Sequence, residues 1–328
     1  VGPAYFIPSA SAYNETCGQI GNLMWNYRML CTQGEGRFAD MVEHEIYNGI
    51  LSGVQLDGTK WWYRNVLRNY QREGDRSQRF EPGRRAICCP TNLLRTVAEF
   101  QSFIYSLSER TLWVHHYAGN RLQTDIPAAG PVVLRQETDY PWSGRITLHV
   151  DKTPDAEFCI RLRVPGWAET ARISVNDEPS STGGTPGAYA ELSRVWRDGD
   201  LIELDIPMPV RMMEAHPKVE QLRNQAAIMR GPILYCLESV DLPDEGMDLF
   251  NVFVREGSSF TASDASGFPF GIKTIQGSGW YRANTPWTTD LYREIKPVSS
   301  EEFPLTLIPY FAWANRGSAD MSVWLPVR

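Results

Sequence analysis

The residue pattern predicts an α + β multidomain chain, a helical segment followed by two β-sandwich (jelly-roll-like) modules. Apolar residues recur at helical spacing through the first hundred positions, and near Ser108 the period drops to two. A second β block opens near Pro217. The 328 residues allow two or three domains at ~100–200 residues each. The boundaries drawn are 1–108 for the helices, 109–214 for the first sandwich and 215–317 for the second. A last strand over 318–328 could return to the first sandwich.

Each element has its own reason. Asn14 offers an N-cap to a helix whose stripe is Ile20, Leu23, Met24, Tyr27 and Leu30. A second stripe runs through Phe38, Met41, Val42, Glu45, Ile46 and Ile50. From Leu51 to Arg68 the character changes, and the Asp57-Gly58 dipeptide beside bulky aromatics predicts a hairpin or ordered loop. Gly83 to Pro90 reads as another loop. Pro90 and Thr91 open a third helix with the stripe Leu94, Val97, Ala98, Gln101 and Ile104, and Phe100 partly on it. Beyond Ser108, TLWVHHY, RITLHVD, FCIRLRV, ARISVN and LIELDI alternate between turn residues, as strands of an antiparallel sandwich do. The second block contributes NQAAIMRGPILYCLE, TLIPYFAWANRG and MSVWLPV. Gly257 to Pro286, rich in Ser, Gly and Thr, reads as a long loop.

Composition narrows the function. A net charge of -7 argues against nucleic acid and anionic membrane as main partners, since both select basic surfaces. No run approaches the ~18–20 apolar residues of a membrane span. Aromatics make 12% of the chain, which suits stacking on sugar faces and suits a sandwich core equally well. The chain opens at Val1 without Met and inside a motif. Its N-terminus is therefore expected to be missing and its targeting unreadable, leaving a reducing cytoplasm or a bacterial periplasm.

Six cysteines in so long a chain do not make a disulfide scaffold. Cys31, Cys159 and Cys236 sit in apolar runs and read as small buried thiols. Glu15, Cys17, Cys88 and Cys89 differ, gathering one carboxylate and three thiols in two short segments. Zinc takes four such ligands in a tetrahedron. Adjacent cysteines at a helix start also feel its N-terminal dipole, which favours the thiolate. Without the C-x-x-C spacing of zinc ribbons, three readings stay open: a metal site, three unrelated buried thiols, or a redox pair at Cys88 and Cys89. His115 and His116 face opposite sides of a strand; His44 and His149 read as surface or satisfied core groups. Glu43 and Glu45, flanking His44, do not share a helix face and make a weak acid–base pair.

Several motifs in order carry a resemblance. AYNETCGQIG, YNGILSGVQLDGTKWWYRN and ICCPTNLLR with FIYS after it resemble glycoside hydrolase family 127 and its close relatives, which include bacterial β-L-arabinofuranosidases. TDYPWSGRITL, LRVPGWA, VWRDGDLIELDIPMPV, MRGPILYCLE and FAWANRG with MSVWLPV resemble its β modules. The resemblance runs from Ala12 to the C-terminus. It implies that residues 1–108 are the C-terminal part of an (α/α)6 catalytic barrel. It implies Zn2+ on Glu15, Cys17, Cys88 and Cys89, and Cys88 as nucleophile of a retaining reaction through a thioglycosyl-enzyme. Tyr63 matches an aromatic near the sugar, giving a substrate-binding residue. The resemblance implies an acid/base glutamate and sugar-contacting histidines upstream of Val1.

The substrate implied is an L-arabinofuranoside-containing oligosaccharide or glycan, and the sandwiches leave room for a homodimer. Two alternatives stand beside the glycosidase: a carbohydrate-binding β-sandwich protein with a structural zinc site, and a redox-responsive protein cycling Cys88 and Cys89. Helices belonging to an incomplete barrel should also leave apolar residues exposed from Ile20 to Leu51.

Overall fold

The computed structural model describes residues 3–70, 79–80, 87–244, 246–283, 289–294 and 297–328. Of the loop expected over Gly83 to Pro90, 83–86 lie outside the described residues, and Cys88, Cys89 and Pro90 form the first turn of a helix instead. The chain divides into two compact units, one of residues 17–50 and 90–209, the other of 1–16, 51–89 and 210–328.

In the first of these units, helix α1 spans Thr16–Gln33 and α2 spans Gly36–His44, continued by a π-helical turn over Glu45–Ile50. Asn14 therefore lies two residues before the first helical residue rather than next to it. Ile20, Leu23, Leu30, Val42, Ile46 and Ile50 are all buried. Of the exposed apolar residues expected from Ile20 to Leu51, the structure shows Trp25 and Met41, while the helical stripe itself is covered. Cys31, expected inside, is exposed, and Cys159 is only half-buried, while Cys236 is buried as expected.

Helix α3 spans Cys88–Glu99, and its inward face differs from the expected stripe. Leu94 and Val97 are 68% and 55% exposed, while Cys89, Leu93 and Thr96 are buried. The i, i+4, i+7 face that begins at Cys89 sets the helix rotation, so burying one cysteine of the pair turns the apolar Leu94 outward.

The strands of this unit form two sheets. One has four strands in the order Tyr189–Val195, Glu157–Arg163, Thr111–Val114 and Tyr105–Ser108. The other has six, in the order Asn120–Ile126, Gly130–Thr138, Arg145–Lys152, Leu201–Asp205, Arg172–Val175 and Glu178–Pro179. Alternate residues from both sheets make one core: Ile146, Leu148 and Val150 from RITLHVD, and Phe158, Ile160 and Leu162 from EFCIRLR. Each such side chain contributes roughly 1.5–3 kcal/mol by leaving water.

Arg163 interrupts the apolar pattern. Its guanidinium is fully buried and donates to Asp40 Oδ1 and Glu43 Oε1, both at 2.5 Å, and to the His115 carbonyl. Glu43 also accepts from Tyr140 Oη (2.6 Å) and Trp167 Nε1 (3.0 Å). A strand-borne cation thereby clamps α2 through two of its carboxylates. Both adjacent histidines are buried too, because the strand ends at Val114. His115 sits between Ser106 Oγ (2.7 Å) and Tyr189 Oη (2.6 Å).

Glu45 is buried among the helices and accepts from Asn22 Nδ2 at 2.6 Å. Burial pushes its carboxyl from an ordinary 4.5 up to about 7. The folded protein then holds a proton that the unfolded chain releases near pH 4.5, so stability falls as pH rises from there to about 7. Glu45→Gln, an uncharged shape match, should flatten that fall in urea denaturation series taken at pH 4.5, 6 and 7.5. An unchanged pH dependence would refute the assignment.

The second unit is built on a ten-stranded sheet. Its main path runs Arg68–Asn69, Met321–Ser322, Ile233–Glu238, Ser300–Pro309, Lys273–Arg282 and Val252–Phe253. Gln225–Arg230 pairs with Val210–Glu214, Ile233–Glu238 and Leu325–Pro326. The last strands, expected over 318–328, therefore pair inside this sheet and with Arg68–Asn69, and do not return to the first block.

The long loop expected over Gly257 to Pro286 contains two paired strands, Phe260–Asp264 and Lys273–Arg282, with 284–286 outside the described residues. Its glycines have a packing role within strands. A Cβ on Gly277 would meet the Phe260 ring at 2.4 Å, and one on Gly279 the Phe303 ring at 2.7 Å, so these strand positions are empty to seat aromatics. At Asp57-Gly58 the chain does turn back: Val54 bridges Trp61, and Asp57 accepts from the Thr59 amide at 2.9 Å.

Candidate metal centre

Glu15 lies just ahead of α1 in a short antiparallel bridge with Arg64. Two bonds of Thr16 hold it there, N–H to the Tyr63 carbonyl (3.0 Å) and Oγ1 to the Trp62 carbonyl (2.8 Å). Asn65 adds a third, N–H to the Asn14 carbonyl at 2.9 Å. Cys17 follows in the first turn of α1, and Cys88 and Cys89 open α3. Both cysteine segments are thus helix N-termini.

The four residues converge. One ligand atom from each of Glu15, Cys17, Cys88 and Cys89 lies within 4.8 Å of all the others. Glu15 Oε1 is 3.9 Å from Cys88 Sγ and 3.8 Å from Cys89 Sγ, and the two sulfurs are 3.9 Å apart. Tetrahedral zinc, with ~2.3 Å arms to sulfur and ~2.0–2.2 Å to oxygen, sets its donors roughly 3.5–3.8 Å apart. The separations and the donor set therefore fit a soft divalent ion. No disulfide joins the pair. Burial grades across the cluster: Cys89 is buried, Glu15 and Cys17 half-buried, and Cys88 exposed. Of the three thiols, Cys88 is the most open to a solute.

A second layer surrounds the donors. Asn92 Nδ2 donates to Cys17 Sγ at 3.1 Å. Tyr63 Oη donates to Glu15 Oε2 at 3.0 Å and lies 2.5 Å from Tyr13 Oη. Its bonds to Tyr13 and to the Glu15 carboxylate hold the phenol proton and raise its pKa. Arg64 stacks its guanidinium 4.3 Å above the Tyr13 ring. Tyr63, expected beside a sugar, thus reaches the cluster through one of its ligands.

Tyr13 and Asn92 were not singled out in the sequence. The signal for both was position: Tyr13 stands in the AYNETC motif, and Asn92 lies one helical turn after Cys88–Cys89. His44, His115, His116 and His149 contribute no ligand to the cluster, and His149 pairs with Glu137 at 3.2 Å.

Three family profiles tile the chain: "Beta-L-arabinofuranosidase, GH127 catalytic domain" over residues 1–102, "Beta-L-arabinofuranosidase, GH127 middle domain" over 111–208, and "Glycoside hydrolase family 127 C-terminal domain" over 210–326. The chain belongs to glycoside hydrolase family 127. A non-reducing end β-L-arabinofuranosidase of Bifidobacterium longum subsp. longum is 28% identical over 340 aligned positions, covering 98% of this chain and 50% of that protein. A solved glycoside hydrolase superimposes with a TM-score of 0.95 at 36% identity, over 99% of this chain and 54% of its own. The GH127 β-L-arabinofuranosidase of Geobacillus stearothermophilus T6 gives 0.90 at 36%, over 99% and 51%. The chain spans about half the length of the relatives it matches. Among the described residues, no helix is long and apolar enough to cross a membrane.

Proposed function

We propose that this GH127 chain serves a retaining β-L-arabinofuranosidase, acting on L-arabinofuranoside-containing glycans, with Cys88 as nucleophile. In this reading residues 1–108 are the C-terminal part of an (α/α)6 barrel, and 109–214 and 215–317 are its two β-sandwich domains. The observation that carries it is the Glu15, Cys17, Cys88 and Cys89 cluster with its one exposed thiol.

The four residues would hold Zn2+, which when bound keeps coordinated thiols deprotonated at neutral pH. Cys88 Sγ attacks the anomeric carbon, and a C–S bond forms as the bond to the leaving oxygen breaks. That oxygen takes up a proton from a general acid. Water then attacks the same carbon and gives its proton to the conjugate base of that acid, the C–S bond breaks and the thiolate returns, so two inversions give net retention. Glu15 is engaged with Tyr63 and the thiols, which leaves it unsuited to supply the proton. Tyr63, half-buried at the cluster, orients Glu15 and offers its ring to the sugar.

Elemental analysis of protein purified under reducing conditions tests the ligand set. About one zinc per chain is expected, with Cys17→Ala and Cys89→Ala each well below half of that. A metal-free protein with intact thiols would refute the site.

A further inference from the structure

The segment carrying Tyr63 is held on a loop far away in sequence, Trp313 to Arg316. The Trp62 ring stacks on Trp313, with centroids 4.3 Å apart. The Arg79 guanidinium lies 3.7 Å over the Trp62 ring and donates to the Ala314 carbonyl at 3.1 Å. The Leu56 amide donates to Asn315 Oδ1 at 3.0 Å, and Tyr310 Oη to the Val66 carbonyl at 2.7 Å.

The loop itself is fixed from behind. Ala314 holds a left-handed backbone, φ 56°, which costs a non-glycine residue energy unless its surroundings enforce it. The buried Glu238 carboxylate does so, accepting from the Ala314 amide and from Arg316 Nη2, each at 2.6 Å. Arg316 is also bonded to Asp241.

We infer that Trp313 and Arg79, with the Glu238-anchored loop behind them, are positioning residues for the Glu15 ligand. The inference rests on the metal reading above. Trp62 and Tyr63 are bonded neighbours at a bend, so one short stretch of backbone carries both side chains. Clamping the Trp62 ring therefore fixes where Tyr63 points, and the Tyr63 hydroxyl bonds Glu15. The same segment's carbonyls at 62 and 63 accept both bonds of Thr16, the residue after Glu15. The C-terminal sheet thus acts as an outer support of the metal site, and loss of such support typically costs ~10–100-fold in metal affinity.

The test measures zinc affinity by chelator competition, together with hydrogen exchange at the Thr16 and Asn65 amides of metal-free protein. Trp313→Ala should weaken zinc binding by ~10-fold or more and speed exchange at both amides. Trp313→Phe, which keeps an aromatic face, should restore most of both. Ile275→Val, a core truncation in the same sheet, should move neither. If Trp313→Ala does not fold, Arg79→Lys carries the comparison, because lysine keeps the charge and loses the planar stack.

Folded Trp313→Ala or Arg79→Lys protein with parental affinity and parental exchange would overturn the inference. So would equal shifts in Ile275→Val. A parent protein that binds no zinc overturns instead the function proposed above, and the clamp then stands or falls on exchange alone.

Discussion

Cys88→Ala, made in the protein at its full natural length, should lower hydrolysis of a 4-nitrophenyl β-L-arabinofuranoside by on the order of 10⁴-fold or more. Removing a covalent nucleophile leaves only binding and charge stabilisation to accelerate the reaction. Cys88 shares its cluster with three other potential donors, so in the proposed site the same substitution would also remove a ligand, and rate alone would confuse the two losses. Zinc content measured on the same samples separates them. Asn92→Ala, which strips a hydrogen bond from the Cys17 sulfur and leaves all four donors in place, should weaken metal binding and keep a measurable rate once zinc is restored. Cys88→Ala should stay inactive at any zinc concentration. Turnover of Cys88→Ala within tenfold of the parent would remove Cys88 from the reaction.

The second large effect is on stability. Arg163 is buried against the buried Glu43 and the half-buried Asp40, and Tyr140, Trp167 and the His115 carbonyl complete the set. Glu43→Ala leaves a buried cation short of its principal counter-charge and should destabilise by about 3–5 kcal/mol in denaturant unfolding. The energy belongs to the unpaired charge more than to the pair. Arg163→Met combined with Glu43→Leu should therefore cost clearly less than the sum of the single changes, because the double change buries no lone charge. Additive costs would show that the two residues act independently and that the clamp on α2 is not their joint work.

Several features were legible because they depend on neighbours along the chain. The 3.6 and 2 periods placed the α-helices before Ser108 and most strands after it, with Arg68–Asn69 and Tyr105–Ser108 the exceptions, and Ile20, Leu23 and Leu30 are buried as the helical period requires. The Asp57-Gly58 turn was equally local. Grouping of Glu15 with Cys17, Cys88 and Cys89 was suggested by residue type and by the family's motifs. Residue type alone left unrelated thiols and a redox pair open.

Other features were fixed only by contacts across long separations. Glu15 and Cys88 are 73 positions apart, Glu43 and Arg163 are 120, and Arg79 and Ala314 are 235. Nothing in a local window distinguishes Arg163 from the solvent-facing arginines around it, yet burial and two carboxylates make it a clamp. Leu94 and Val97 look like core residues, and the burial of Cys89 turns them outward. Gly277 and Gly279 look like loop residues, and the Phe260 and Phe303 rings need the room they leave. Short windows of chain carry the periods, the turns and the kinds of donor available. Tertiary structure decided helix rotation, strand partners and which thiol stays open, because those depend on volumes and charges that meet only after the chain has closed long loops.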